Sequence, residues 1–126
     1  MIWPIFRPDD SAYASNAATA SPAEEARGER EHISGLVAGL VAANGTAADP
    51  PAYGAAVAQR LLPDVLPYRT GTPANFGFVE HNGRALADNA PEAMFSLVMN
   101  AAVATGLSPQ QFADTRSGLF PYLVAG

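Results

Sequence analysis

Apolar residues recur at helical spacing along three stretches of this chain, and segments rich in Pro, Gly and polar residues separate them. The first helix is predicted to begin at Ser21, because Ser21 can cap it, Pro22 suits its first turn and Glu24 can complete a capping box. Its apolar positions are Ile33, Leu36, Val37, Leu40 and Val41. Asn44-Gly45 predicts its end, so the pattern indicates one long amphipathic helix.

A second helix is predicted to begin at Asp49-Pro50-Pro51 and to end at Pro63. The side chains that it offers for burial are Tyr53, Val57, Leu61 and Leu62. Asn89-Ala90-Pro91-Glu92 predicts a third helix that runs to about Thr105 and stops at Gly106. Its side chains are apolar almost all round, which predicts a buried helix that must pack against more than this chain supplies.

The remaining chain predicts shorter elements. Asn82-Gly83 indicates a tight turn, with residues 76–80 as one strand of a hairpin. Ser108-Pro109 begins a last short helix, and residues 118–123 form an apolar tail. Residues 1–20 are predicted as an extended segment and loop, and residues 21–126 as a helical part. The fold class is therefore mainly α, about four helices joined by Pro/Gly-rich loops with one or two short strands, within a larger α+β domain.

Composition narrows the classes of protein to which the chain can belong. At 126 residues it is a single domain or the C-terminal fragment of a larger one. Its net charge is −5, and its seven cationic residues are scattered Arg, which argues against a nucleic-acid partner. With no Cys, it has no thiol nucleophile or Cys-ligated metal. We find no signal peptide and no apolar run long enough for a membrane span, so the sequence itself leaves the localisation unknown.

The best candidates for chemistry lie between residues 76 and 92. His81 could pair with Asp88 or Asp64 as a general base, although a histidine exposed in a turn is the structural alternative. Arg84 and Asp88 stand four residues apart, and they suit either a ligand-binding pair or a turn in which Arg84 bonds local carbonyls. We therefore predict His81, Arg84 and Asp88 as candidate ligand-binding residues, and no catalytic residues.

No cofactor or metal site is predicted. His32 and His81 are the only imidazoles, and they lack the spacing of a zinc motif. Asp9, Asp10 and Ser11 cluster oxygens that calcium could use, but they lack the full loop pattern, and a turn or helix cap is the alternative. The nucleophile-elbow sequence of serine hydrolases is absent as well, so hydrolysis gains little support.

The order of motifs from residue 62 onward resembles the C-terminal part of a bacterial family, domain of unknown function 4331 (DUF4331). The matching segments are Leu62-Pro63-Asp64-Val65-Leu66, Gly71-Thr72-Pro73-Ala74, Gly77-Phe78, Asn82-Gly83-Arg84-Ala85-Leu86-Ala87-Asp88 and Phe120-Pro121-Tyr122-Leu123. The first half fits more loosely. The Ser-Ser-His-Arg-Glu-Ala-Pro stretch with which such proteins typically open does not occur in this sequence.

The resemblance implies a larger secreted or periplasmic-type protein with a β-rich N-terminal portion. It implies no catalytic residues, since none are established for the family. We accordingly expect a structural or interaction portion of a secreted bacterial domain, without catalysis of its own, that self-associates or packs against a missing β-rich portion. The alternative is a ligand-binding or hydrolytic extracellular module with a site near His81, Arg84 and Asp88.

Overall fold

A computed structural model describes residues 22–124, apart from the side chains of Pro22, Glu24 and Glu25. Along this part of the chain the elements are α1 (Pro22–Asn44), α2 (Pro50–Leu61), β1 (Asn75–Phe76), β2 (His81–Asn82), α3 (Ala90–Met99) and a 3₁₀-helix, η1 (Pro109–Thr115). The predicted fold class, mainly α with about four helices and one or two short strands, is confirmed. The predicted cap at Ser21 and the possible calcium ligands Asp9, Asp10 and Ser11 lie outside the described residues.

The described chain forms two compact units. The first unit comprises residues 22–65 with Val98–Ala101, and the second unit comprises Leu66–Leu97 with residues 102–124. The first unit therefore holds α1, α2 and the last two residues of α3. The second unit holds the strands, most of α3, η1 and the apolar tail.

Helix α1 buries one narrow stripe of its surface. Ile33, Val37 and Val41 are fully buried at a spacing of four residues, which places them on one face of the helix. Leu36 and Leu40, although they share the helical spacing, remain partly exposed. The helix ends as predicted, because Gly45 adopts a φ of 63° and the N–H of Thr46 donates to the Val41 carbonyl at 3.0 Å.

Helix α2 packs closely on α1 through a glycine. The Asp49 carboxylate caps α2 by accepting from the Ala52 N–H at 3.0 Å. A Cβ built on Gly54 would lie 2.3 Å from the Ser34 carbonyl oxygen and 3.0 Å from the Ala38 nitrogen. Because these atoms belong to the backbone of α1, only a residue without a side chain permits this approach. The two helices and their short loop form a tightly packed helical hairpin.

Helix α3 is shorter than the sequence predicted. It ends at Met99 rather than near Thr105, and Asn100 takes a left-handed φ of 48°. The Thr46 hydroxyl donates a hydrogen bond to the Met99 carbonyl at 2.7 Å. The side-chain amide of Asn100 donates to the Thr46 carbonyl at 2.5 Å. These tertiary hydrogen bonds satisfy the helix end, so an apolar run continues in sequence after the helix has stopped.

The predicted hairpin exists, but its turn is elsewhere. Strand β1 pairs with β2 in antiparallel register, with Asn75 opposite Asn82 and Phe76 opposite His81. The turn is formed by residues 77–80, closed by the Gly77 N–H on the Glu80 carbonyl at 2.9 Å. Asn82-Gly83 is therefore not the turn, and residues 76–80 are not one strand. Gly83 is required for another reason: its φ is 71°, and a Cβ would lie 2.9 Å from the Tyr68 ring.

The apolar surface left exposed differs from the one expected. Within α3, Met94, Leu97 and Val98 are buried, and Phe95 is its one exposed large apolar side chain. The exposure is instead concentrated in loops and in the tail, where Phe120 is 84% exposed. No helix within residues 22–124 has the length and apolar character to cross a membrane.

Candidate functional site

Asp88 organises the backbone of its surroundings. One carboxylate oxygen, Oδ2, accepts from the N–H of Ala85 at 2.7 Å and from the N–H of Phe76 at 2.9 Å. The second bond ties strand β1 to a segment 12 residues further along the chain. Asp88 also donates its own N–H to the Ala85 carbonyl at 3.1 Å. A carboxylate that accepts two backbone N–H groups is a strong local clamp.

His81 lies on β2 and is half-buried. Its ring stacks on the ring of Phe76, its cross-strand partner, with centroids 4.2 Å apart and planes inclined by 7°. Cross-strand pairs of this kind stabilise small sheets. The histidine is thus part of the hairpin packing rather than a side chain exposed in a turn, which was the structural alternative.

Arg84 faces a groove of about 250 Å³. The side chain is exposed, and no described residue forms an ion pair or hydrogen bond with it. We name this feature the Arg84–Arg116 groove. It is lined by Arg84, Leu86, Ala87, Asp88, Asn89, Pro91, Leu107, Ser108, Pro109, Phe112 and Arg116.

The structure brings two of the three predicted residues together. Arg84 and Asp88 both line the groove, whereas His81 is not among its lining residues. Arg116, which the sequence reasoning missed, contributes the second cation. It is 32 positions from Arg84, so no local spacing in the sequence could indicate that the two side chains share one groove.

Arg116 is held in place by η1. Its Nε donates to the Phe112 carbonyl at 3.3 Å, and its Nη2 donates to the Pro109 carbonyl. A guanidinium carries five N–H donors, so these two bonds leave donors for a further acceptor. Helix η1 itself begins where predicted, and the Gln111 side chain accepts from the Ser108 N–H at 2.7 Å.

Asn89 lines the groove at the start of α3, and Glu92 holds the segment that follows the helix. Asn89 caps the helix by accepting from the Glu92 N–H at 3.3 Å, and its amide donates to the Thr105 hydroxyl and the Leu107 carbonyl. Glu92 Oε2 accepts from both the N–H and the hydroxyl of Thr105, at 3.0 and 3.1 Å. These bonds fix the segment after α3, which supplies Leu107 and Ser108 to the groove. The cap at Asn89 agrees with the prediction, but its bonds to Thr105 and Leu107 could not be read from local sequence.

Asn82 has a comparable role on the other side of the hairpin. Its side-chain oxygen accepts from the Arg69 N–H at 2.7 Å, and its amide donates to the Thr72 hydroxyl and the Pro73 carbonyl. The residue is buried. Its side chain therefore orders the proline-rich loop before β1, which explains an Asn at this position without a turn.

Among the side chains that the structure describes, no three His, Asp or Glu residues group closely enough to hold a metal ion. Shifted pKa values occur in the first unit, at residues that do not line the groove. Burial raises the pKa of Tyr53 and lowers the pKa of Arg60, and the electrostatic interaction between the two opposes both shifts. Since burial is the larger cause, these shifts reflect the packing of α2 rather than a chemical site.

Comparisons with protein families, with curated proteins and with solved structures found no match to this chain.

Proposed function

We propose that this protein is an interaction module without catalysis of its own, which buries apolar surface of its second unit against another polypeptide. The observation that carries the proposal is the distribution of exposed apolar side chains. Thirteen of the sixteen large apolar side chains that stay exposed among the described residues belong to the second unit. Contiguous exposed apolar patches are typical of interaction surfaces, and the tail, where Leu119, Phe120, Tyr122 and Leu123 are all exposed, is the clearest such stretch.

The tail supports the proposal because its apolar side chains are displayed on an ordered backbone. Arg116 and Leu123 form an antiparallel bridge, and the Ser117 N–H donates to the Tyr122 carbonyl at 2.9 Å. The Tyr122 N–H closes the turn on the Leu119 carbonyl at 2.7 Å. Within this loop, Leu119 is 78% and Phe120 84% exposed. An ordered apolar loop suits binding, since less conformational entropy is lost when it docks.

The geometry of Asp88 supports a non-catalytic role for the predicted residues. Its Oδ2 already accepts two backbone N–H groups, which accounts for the residue through local structure. His81 is likewise accounted for by its stacking on Phe76. Of the alternative function, a ligand-binding or hydrolytic module, the binding part gains support from Arg84 in its groove.

The resemblance to DUF4331 would supply the partner and the compartment. In that proposal the partner surface is the β-rich N-terminal portion of the family, and the protein acts in the periplasm or outside the cell. Without that portion, the surface would be left to self-association.

Sedimentation velocity and binding of a hydrophobic dye test the proposed function. Over a wide range of concentration, we expect the purified chain to associate reversibly and to enhance the fluorescence of the dye. Its melting should remain cooperative, because the surface is displayed by a folded chain. The proposal would be contradicted if the protein were monomeric at every concentration and did not enhance the fluorescence of the dye.

A further inference from the structure

We infer that the Arg84–Arg116 groove binds an extended segment of a partner polypeptide in which a carboxylate side chain stands beside an apolar one. This inference rests on the proposed function, since it names the chemistry of one partner segment. The groove combines two guanidinium groups with apolar lining residues that include Leu86, Leu107 and Phe112.

Charge complementarity selects the carboxylate. Arg84 has no acceptor among the described residues, and Arg116 uses only some of its donors on the carbonyls of Pro109 and Phe112. Asp88 is the one acidic residue in the lining, and its Oδ2 accepts two backbone N–H groups. Two guanidinium groups with free donors favour a planar, bidentate anion such as a carboxylate.

The exposure of the lining favours a polypeptide over a small molecule. The groove has a volume of about 250 Å³, and the apolar side chains that line it extend into solvent. Leu86 is 64% exposed and Leu107 56%, so a ligand confined to the groove would leave much of both in water. A chain segment that crosses the groove can cover them while it places one acidic side chain between the two arginines.

Asn89 and the backbone of Ser108, which line the groove beside the two guanidinium groups, already have hydrogen-bond partners. Asn89 donates to Glu92, Thr105 and Leu107, and the N–H of Ser108 is held by Gln111. The groove is therefore held open by bonds that binding need not break. Preorganisation of this kind lowers the cost of association.

Fluorescence anisotropy with three matched, capped peptides tests the inference. The first peptide places one Glu between two Leu residues in a Gly/Ser background, the second replaces Glu by Gln, and the third replaces both Leu residues by Ser. We expect the first peptide to bind most tightly. Either replacement should weaken binding by about tenfold, because a hydrogen-bonded charge and a buried apolar side chain contribute similar binding free energies. High salt should weaken only the Glu-containing peptides.

Arg84→Gln should abolish the preference for Glu over Gln. The variant should fold normally, because Arg84 is exposed and has no described partner. Arg69→Gln is the matched control: it removes an exposed arginine of the same unit, one that lies 3.9 Å from Glu80, and should keep the preference. Leu86→Ser should weaken the Glu and Gln peptides alike.

Three outcomes would overturn the inference: equal binding of the Glu and Gln peptides, a preference that survives Arg84→Gln, or no peptide binding at all. Binding of a single-stranded oligothymidylate in place of the peptides would also overturn it, in favour of a nucleic-acid ligand. If the chain binds no peptide but still associates through its apolar surface, the groove inference alone fails. If the protein also remains monomeric and does not enhance the fluorescence of the dye, the proposed function fails as well.

Discussion

The two units of this protein use apolar residues in opposite ways. Seven of the ten buried large apolar side chains among the described residues belong to the first unit, whereas the second unit holds thirteen of the sixteen exposed large ones. In the first unit the burial is dense, with Ile33, Val37 and Val41 inaccessible and Gly54 against the backbone of α1. The first unit is stabilised mainly by burial, whereas the second, among its described apolar side chains, buries only Phe76, Ala90, Met94 and Leu97.

The second unit is ordered instead by side chains that bond to the backbone. Asp88, Asn82, Asn89, Glu92 and Ser96 each accept or donate hydrogen bonds that fix a loop; Ser96, for example, accepts from the Val103 N–H at 3.0 Å. Such bonds order a chain without using its large apolar side chains. The second unit can therefore display an apolar surface because hydrogen bonds from polar side chains hold its backbone.

The largest expected effect on the second unit comes from substitution of Asp88. Asp88→Ala leaves the N–H groups of Phe76 and Ala85 without their acceptor, so we expect the free energy of unfolding to fall by about 3 kcal/mol. Asp88→Asn keeps an acceptor oxygen and should cost less. Urea unfolding followed by circular dichroism measures both.

The exposed Asp114 provides the control, and Asp114→Ala should change stability little. Should Asp88→Ala prove as stable as this control, the second unit would not depend on the hydrogen bonds of its polar side chains.

Helix packing in the first unit gives the next largest effect. Gly54→Ala places a methyl group against the Ser34 carbonyl, and we expect a loss of about 2 kcal/mol from overpacking, even though Ala favours helices. Gly39→Ala is matched, since Gly39 lies in α1 with nothing within 4 Å of its added Cβ. It should gain up to about 1 kcal/mol. Thermal melting measures both variants. Close packing of the two helices would be contradicted if both melting temperatures shifted in the same direction.

A smaller effect is expected at the start of α3. Asn89→Ala removes the cap on the Glu92 N–H and the bonds to Thr105 and Leu107, with an expected loss of about 1–2 kcal/mol. Hydrogen exchange should show faster exchange of the amides at 105–108. Gln110→Ala, at an exposed position of η1, should leave that exchange unchanged. Equal exchange in the two variants would mean that Asn89 does not hold this segment.

The sequence predicted the elements whose signals are local. The stop at Gly45, the cap at Asp49 and the start of η1 depend on residues within one helical turn of each other. The predicted end of α3, near Thr105, was wrong. The helix stops at Met99, whose carbonyl accepts a hydrogen bond from Thr46, 53 positions away in sequence. The hairpin turn was misplaced because Asn82 bonds to a loop 9–13 residues away rather than within its own turn.

The candidate site was predictable only in part. Arg84 and Asp88 do line one groove, but Arg116 and the bonds of Asn89 depend on contacts distant in sequence. We expected the uncovered apolar surface to lie on α3, and this location was wrong. Its apolar residues are mostly buried, and the exposed surface lies in loops that periodicity does not describe.

Sedimentation velocity of two double variants shows which unit carries the binding surface. Leu119→Ser with Phe120→Ser removes the most exposed apolar residues of the tail loop, and Leu36→Ser with Leu40→Ser removes the exposed leucines of α1. The tail variant should alter stability little because Leu119 and Phe120 are 78% and 84% exposed, whereas Leu36 and Leu40 are only partly exposed, so the α1 variant is compared at a temperature at which circular dichroism shows it folded. We predict that the tail variant becomes monomeric while the α1 variant associates like the parent protein. Association that persists in the tail variant, or is lost in the α1 variant, would contradict the assignment of the binding surface to the second unit.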